Sequence, residues 1–168
     1  SWVQPIDATG VYAPYLWKLP GNVESTRSTL LFRGQFVTSS FACRAHLIKS
    51  LRFRPETPLA EDYDLYVRMS KKARLCNLPD TLVEYRTHGN NITTQRRDAL
   101  RQSLAEINRG QLKELGISPN ERELAIHRHL EWMNLDATSS LLDEVEPWLL
   151  RALAANQALH VYPDSMLK

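Results

Sequence analysis

Two cysteines, six glycines, a net charge of only +2 and no long apolar run set the first limits on this chain. Cys43 and Cys76 show no C-x-x-C spacing and no histidine pattern that would complete a zinc site. They are expected to be reduced and buried, in a cytoplasmic protein. An electrostatic nucleic-acid binder carries a much stronger basic bias than +2, which argues against that class. No run is long enough to span a bilayer, and no signal peptide opens the chain. Internal repeats and low-complexity tracts are also lacking. What is there, 168 residues at 43% hydrophobic and 24% charged, suits one globular domain with room for an appended subdomain. Ser1 in place of a methionine fits a segment of a longer chain.

The chain is organised around Leu59-Ala60-Glu61-Asp62-Tyr63-Asp64-Leu65-Tyr66-Val67-Arg68. Leu65 and Met69 at i, i+4, with Tyr66 and Ala73 beside them, predict a helix with one apolar face. Thr57 reads as its cap and Pro58 as its first residue, where a missing amide costs nothing. Glu61 and Asp62 then fall in the first turn, at the positive end of the helix dipole. Two roles fit carboxylates in that place: simple capping, or a general base at the mouth of a site. Asp62-Tyr63-Asp64 also spells D-x-D, a metal-binding pattern when it sits in a turn after an apolar strand. On a helix, side chains two apart diverge by about 200°, so this pair is not read as a metal site. Asp64 is expected to pair with Arg68 at i, i+4 on an exposed face, for about 0.2–0.5 kcal/mol.

Elsewhere the pattern is uneven. Residues 1–35 hold Trp2, Val3, Ile6, Tyr15 and Trp17, too many large apolar groups for a free tail, but prolines and glycines cut them into short pieces. Pro20-Gly21-Asn22 reads as a turn, and Glu24 to Leu31 as a short helix with Leu30 and Leu31 turned inward. Phe36, Val37 and Thr38 favour an extended segment, followed by the small residues Ser39, Ser40, Ala42 and Cys43. Small side chains suit either close approach of a ligand or a tightly packed strand. Arg44 to Leu51 predicts a helix. Thr81 to Arg86 predicts a strand that leads into the loop Thr87-His88-Gly89-Asn90-Asn91, and strand ends often present site residues. Beyond Thr94 the chain turns helical. Arg97 to Leu115 is ended by Gly116, and a second helix with Leu124, Ile126, Leu130 and Trp132 has Ser118, Pro119 and Glu121 as a capping box. A third runs from Ser140 to Leu159 with Leu142, Val145, Leu149, Leu150 and Leu153 inside.

Three blocks in fixed order then resemble the C-terminal half of family-2 glycosyltransferases with a GT-A fold. The first is Phe36-Val37-Thr38-Ser39-Ser40-Phe41-Ala42-Cys43-Arg44, similar to a small-residue strand under the acceptor site. The second, Ala60-Glu61-Asp62-Tyr63-Asp64-Leu65-Tyr66-Val67-Arg68, resembles the acidic motif of that family. The third runs from Asn77-Leu78-Pro79 through Tyr85-Arg86-Thr87-His88 to Asn91-Ile92-Thr93 and resembles its closing N-L-P-x-x-L-x-x-Y-R-x-H pattern.

The resemblance implies an α/β fragment: the C-terminal half of a GT-A-like sheet, with few strands and helices packed on it, over residues 1–93. A mainly helical extension over 94–168 follows. It implies inverting transfer of a sugar from a nucleotide-sugar to a hydroxyl of a glycan or lipid-linked acceptor. Asp62 is then the base, with Glu61 in support or on the acceptor, and Ser39 and Ser40 shape the substrate pocket. His88 then reaches the diphosphate or serves as a metal ligand from the protein side, and Arg86, in the substrate-binding set, contributes charge nearby. A divalent manganese or magnesium ion is implied for the intact enzyme. Its D-x-D ligands, with the βαβ donor-binding half, are not in these residues, so the fragment alone is expected to bind no metal and to be inactive. The implied location is the cytoplasm, or the inner face of the membrane by surface association. The rival class is a non-catalytic helical interaction module derived from a transferase.

Overall fold

The computed structural model runs, in chain order, β1 (Trp2–Ile6), α1 (Val23–Thr29), a 3-10 turn (Thr38–Ser40), α2 (Ala45–Leu51), α3 (Glu61–Ser70) and β2 (Thr81–Arg86). Then come α4 (Ile92–Gln95), α5 (Arg97–Glu114), α6 (Glu121–Trp132) and α7 (Ser139–Leu159). It describes residues 1–89, 91–132 and 139–163. Asn90 and the side chains of Thr93, Trp132 and Leu142, named above, lie outside them.

β1 and β2 pair in parallel, with Val3 opposite Val83 and Ile6 opposite Arg86. A parallel pair needs a long crossover, and α1 to α3 all lie within it. The other side of β1 is met by antiparallel bridges from Val3 to Trp17 and from Ile6 to Tyr12. Val3 and Ile6 are buried beneath these bridges, whereas Val11, Tyr12 and Tyr15 stay exposed, so only part of the apolar content of the first 20 residues packs on the strand.

α1 begins at Asn22, whose Oδ1 accepts from the Ser25 amide at 2.6 Å. It ends on Leu30 and Leu31, both buried as expected. The two leucines face different cores. Leu31 joins Leu112, Leu115, Leu124, Ile126 and Trp148 of the helical part, whereas Leu30 joins Tyr63, Tyr66 and Val67 of α3 with Leu104 and Ile107 of α5. Their carbonyls, left free by the end of α1, are taken by buried donors. Gln111 Nε2 and the Tyr63 hydroxyl donate to Leu30 O at 2.8 and 2.7 Å, and His127 Nε2 donates to Leu31 O at 2.9 Å. Trp148 Nε1 donates to Nδ1 of the same histidine at 3.2 Å, so the proton of the neutral ring sits on Nε2. Burial pushes the pKa of His127 down to about 4, against a smaller opposing effect of the Leu31 carbonyl.

Several local expectations are corrected. α3 does not start at Thr57-Pro58: Leu59 adopts φ +67°, which breaks the helical path, and Ala60 is the N-cap without a side-chain bond. Nor is its apolar surface one face. Tyr63, Leu65, Tyr66, Val67 and Met69 are all buried, because α3 lies between α2 and the long α5. The segment from Phe36 to Thr38 is not a strand but leads into the 3-10 turn. The capping box of α6 is Asn120 with Glu123, not Ser118 with Glu121. The Glu123 amide donates to Asn120 Oδ1 and the Asn120 amide to Glu123 Oε2, both at 2.9 Å. Cys43 is half-buried and Cys76 exposed, both as free thiols, so neither is the buried cysteine expected. Gly116 does end α5, at φ +69°, with the Ile117 amide on Leu112 O and the Gly116 amide on Lys113 O.

Candidate active site

Glu61 and Asp62 lie in the first turn of α3, as the sequence indicates. The carboxylate of Asp62 is half-buried and held at both oxygens. Oδ1 accepts from the Tyr63 amide at 2.7 Å, and Oδ2 accepts from Thr38 Oγ1 at 2.5 Å. The Tyr66 hydroxyl, one helical turn beyond Asp62, donates to the same Thr38 oxygen at 3.1 Å. Burial pushes the phenol of Tyr66 up to about 12, and the charge of Asp62 adds to the rise. The phenol therefore keeps its proton at neutral pH. With Tyr66 donating, the single hydrogen of Thr38 is directed to Asp62, so the chain of bonds has one polarity. Phe36 and Phe41 support Tyr66, with ring centroids 5.0 and 4.7 Å from it. The 3-10 turn is thus what brings Thr38 over the start of α3, a job that an extended strand would not do.

The other expected site residues are placed as follows. Glu61 is exposed beside Asp62. Ser39 is exposed in the 3-10 turn, and Ser40 donates to Val37 O and accepts from the amino group of Ser1, away from Asp62. Arg86 is exposed, and its Nη1 donates to the carbonyls of Asp7 at 3.0 Å and Ala8 at 3.2 Å, closing the turn after β1. His88 is exposed in its loop, where its backbone amide donates to Asn91 Oδ1 at 2.8 Å. No hydrogen bond joins Ser39, Ser40, Arg86 or His88 to the Asp62 network among the described residues.

Asp64 corrects a further expectation. It does pair with Arg68, but not on an exposed face: the side chains are 9% and 11% exposed. The two carboxylates of Asp62-Tyr63-Asp64 therefore face different partners, Thr38 and Arg68, and cannot converge on one ion. Among the described residues no group of three or more His, Cys, Asp or Glu side chains could hold a metal ion. Thr38 and Tyr66 escaped sequence reasoning as site residues. The available signals were the i, i+4 spacing of Tyr66 to Asp62 and the adjacency of Thr38 to the serines singled out.

A protein of Haemophilus influenzae described as an uncharacterized glycosyltransferase is 32% identical to this chain over 77 residues. The chain is similar to a glycosyltransferase. That match takes in 45% of this chain and 24% of the relative, so it spans about a quarter of the relative's length. No protein-family model matches the chain, and no solved structure matches it. Transferase similarity and the oriented carboxylate are independent observations, one from identity and one from geometry. Among the described residues no helix is long and apolar enough to cross a membrane.

Proposed function

We propose that this chain forms the acceptor side of an inverting, nucleotide-sugar-dependent glycosyltransferase of family 2 with a GT-A fold, and that Asp62 is its general base. The carrying observation is the Asp62 carboxylate, fixed by Thr38 and the Tyr63 amide at a half-open helix start. The acceptor oxygen attacks the anomeric carbon, its proton passes to Asp62, and the bond from sugar to nucleoside diphosphate breaks. Both oxygens of Asp62 are oriented before the acceptor arrives, so little reorganisation is needed when the proton moves. Glu61, exposed one residue earlier, contacts the acceptor.

The donor-binding half, and a manganese or magnesium ion with its D-x-D ligands, are assigned to polypeptide outside these residues. The described carboxylates do not fit such an ion, because Asp64 is committed to Arg68. No step here is routed through it. The test is the stereochemistry of transfer by the enzyme that carries both halves, followed by proton NMR of the first-formed product. Inversion at the anomeric carbon is expected, and retention would overturn the assignment of a single base.

A further inference from the structure

The segment from Arg44 to Arg54 contains Arg44, Lys49, Arg52 and Arg54 and no carboxylate. It carries +4 in a chain whose total is +2, so the remaining residues sum to −2. All four cationic side chains are exposed, and Phe53, between two arginines, leaves 50% of its surface to solvent. α2 buries no residue outright. Leu47, Ile48 and Leu51 turn partly inward, and Ala45, His46, Lys49 and Ser50 face out.

The turn after α2 is held in a costly shape. Arg52 has φ 52° and ψ 159°, close to a region reserved almost entirely for glycine. Arg68 fixes it, donating from Nη1 to Leu51 O and from Nη2 to Arg52 O, both at 2.7 Å. Arg68 is in turn fixed by Asp64, with Nε 2.8 Å from Oδ2. A nearly buried ion pair thus supports a strained turn whose outward product is Arg52-Phe53-Arg54.

We infer that α2 and this turn form a docking surface for an anionic lipid bilayer. The cations meet the headgroups and the ring of Phe53 enters the interfacial layer. An acidic polysaccharide would engage the cations alone, leaving unexplained an aromatic ring held outward between them. Charge complementarity selects the anionic leaflet: Arg54 lies 3.7 Å from Asp64 Oδ1 with its side chain still 56% exposed, and Arg44, Lys49 and Arg52 make no ion pair among the described residues, so a neutral bilayer offers these cations nothing. The inference deepens the surface association that the transferase resemblance implies, and because its test reads binding and not turnover it can fail while the transferase reading stands.

The 168-residue chain is sedimented with vesicles of equal parts phosphatidylcholine and phosphatidylglycerol, and with phosphatidylcholine alone, with circular dichroism checking each variant's fold. Co-sedimentation with the mixed vesicles only, released by added salt, is the expected result. Phe53→Ala should lower the partition about ten-fold by removing apolar burial. Lys49→Glu, a change of two charges, should lower it roughly twenty-fold. No binding, or equal binding to neutral vesicles, would overturn the inference. So would a folded Phe53→Ala that binds as the parent does; if dextran sulfate then captures the chain, the surface belongs to an acidic polymer instead.

Discussion

Arg68 and Asp64 form a nearly buried ion pair, Nη2 lying 2.6 Å from Oδ2 one helical turn away. The spacing on α3 announces the pair, but its burial alters its weight. An exposed pair at this spacing is worth a few tenths of a kcal/mol. Removing one partner of a buried pair leaves an uncompensated charge and typically costs about 3–5 kcal/mol. Asp64→Asn is therefore expected to destabilise the chain by roughly 3 kcal/mol in urea unfolding. A loss below about 1 kcal/mol would place the pair back in the surface class.

His127 makes stability depend on pH. Its pKa is about 4 in the folded chain against 6.5 as the ordinary value, so the unfolded chain takes up the proton first. Its contribution is complete above pH 6.5, is lost as pH falls from there toward 4, and is flat below. The whole effect is roughly 3 kcal/mol. Urea midpoints measured across that window should fall with pH in the parent chain. His127→Gln should flatten the portion of the slope between pH 6.5 and 5, above the range of most carboxylates.

The start of α6 gives a local test. Asn120→Ala removes the acceptor for the Glu123 amide and should cost about 1 kcal/mol, while Ser118→Ala should cost almost nothing. The reverse order in thermal unfolding would restore Ser118 as the cap.

Donor binding offers another. The chain by itself is expected to show no saturable binding of UDP- or GDP-sugars with manganese by calorimetry, since among the described residues no group of three or more His, Cys, Asp or Glu side chains could hold the metal ion. Saturable micromolar binding would move the donor site into these residues.

Elements set by local pattern were legible in the sequence: α1 with its inward leucines, α2, β2, α5 up to Gly116, and the span of α7, although its buried face is Trp148, Ala152 and Asn156 while Leu149 and Leu150, expected inside, are exposed. Those set by distant partners were not. β1 contains Pro5 and reads as fragments until its pairing with β2, some 80 residues on, is known. Phe36 to Thr38 has strand-forming residues, yet contact of Thr38 with α3 turns the chain into a 3-10 turn. The start of α3 was misplaced by three residues because the backbone of Leu59, not a side-chain cap, decides it. In the site, the position of Asp62 was legible from α3 alone. Its partner Thr38 was not, since nothing local links residues 24 apart.

Tyr66→Phe separates orientation from chemistry. It removes the donor to Thr38 but keeps the ring between Phe36 and Phe41, so that hydroxyl can turn from Asp62. A several-fold loss in kcat with unchanged KM for the donor is expected, and an unchanged kcat would deny the bond chain a positioning role.

The most direct measurement is kcat for Asp62→Asn in the enzyme with its donor half present. The substitution keeps the size and the acceptor for Thr38 while removing the basic carboxylate. General-base assistance contributes about 10²–10⁴ in rate, so kcat should fall by that factor with donor affinity little changed. Retention of near-parental kcat by a folded Asp62→Asn would contradict the assignment and leave Asp62 as a first-turn carboxylate that only complements the dipole of α3.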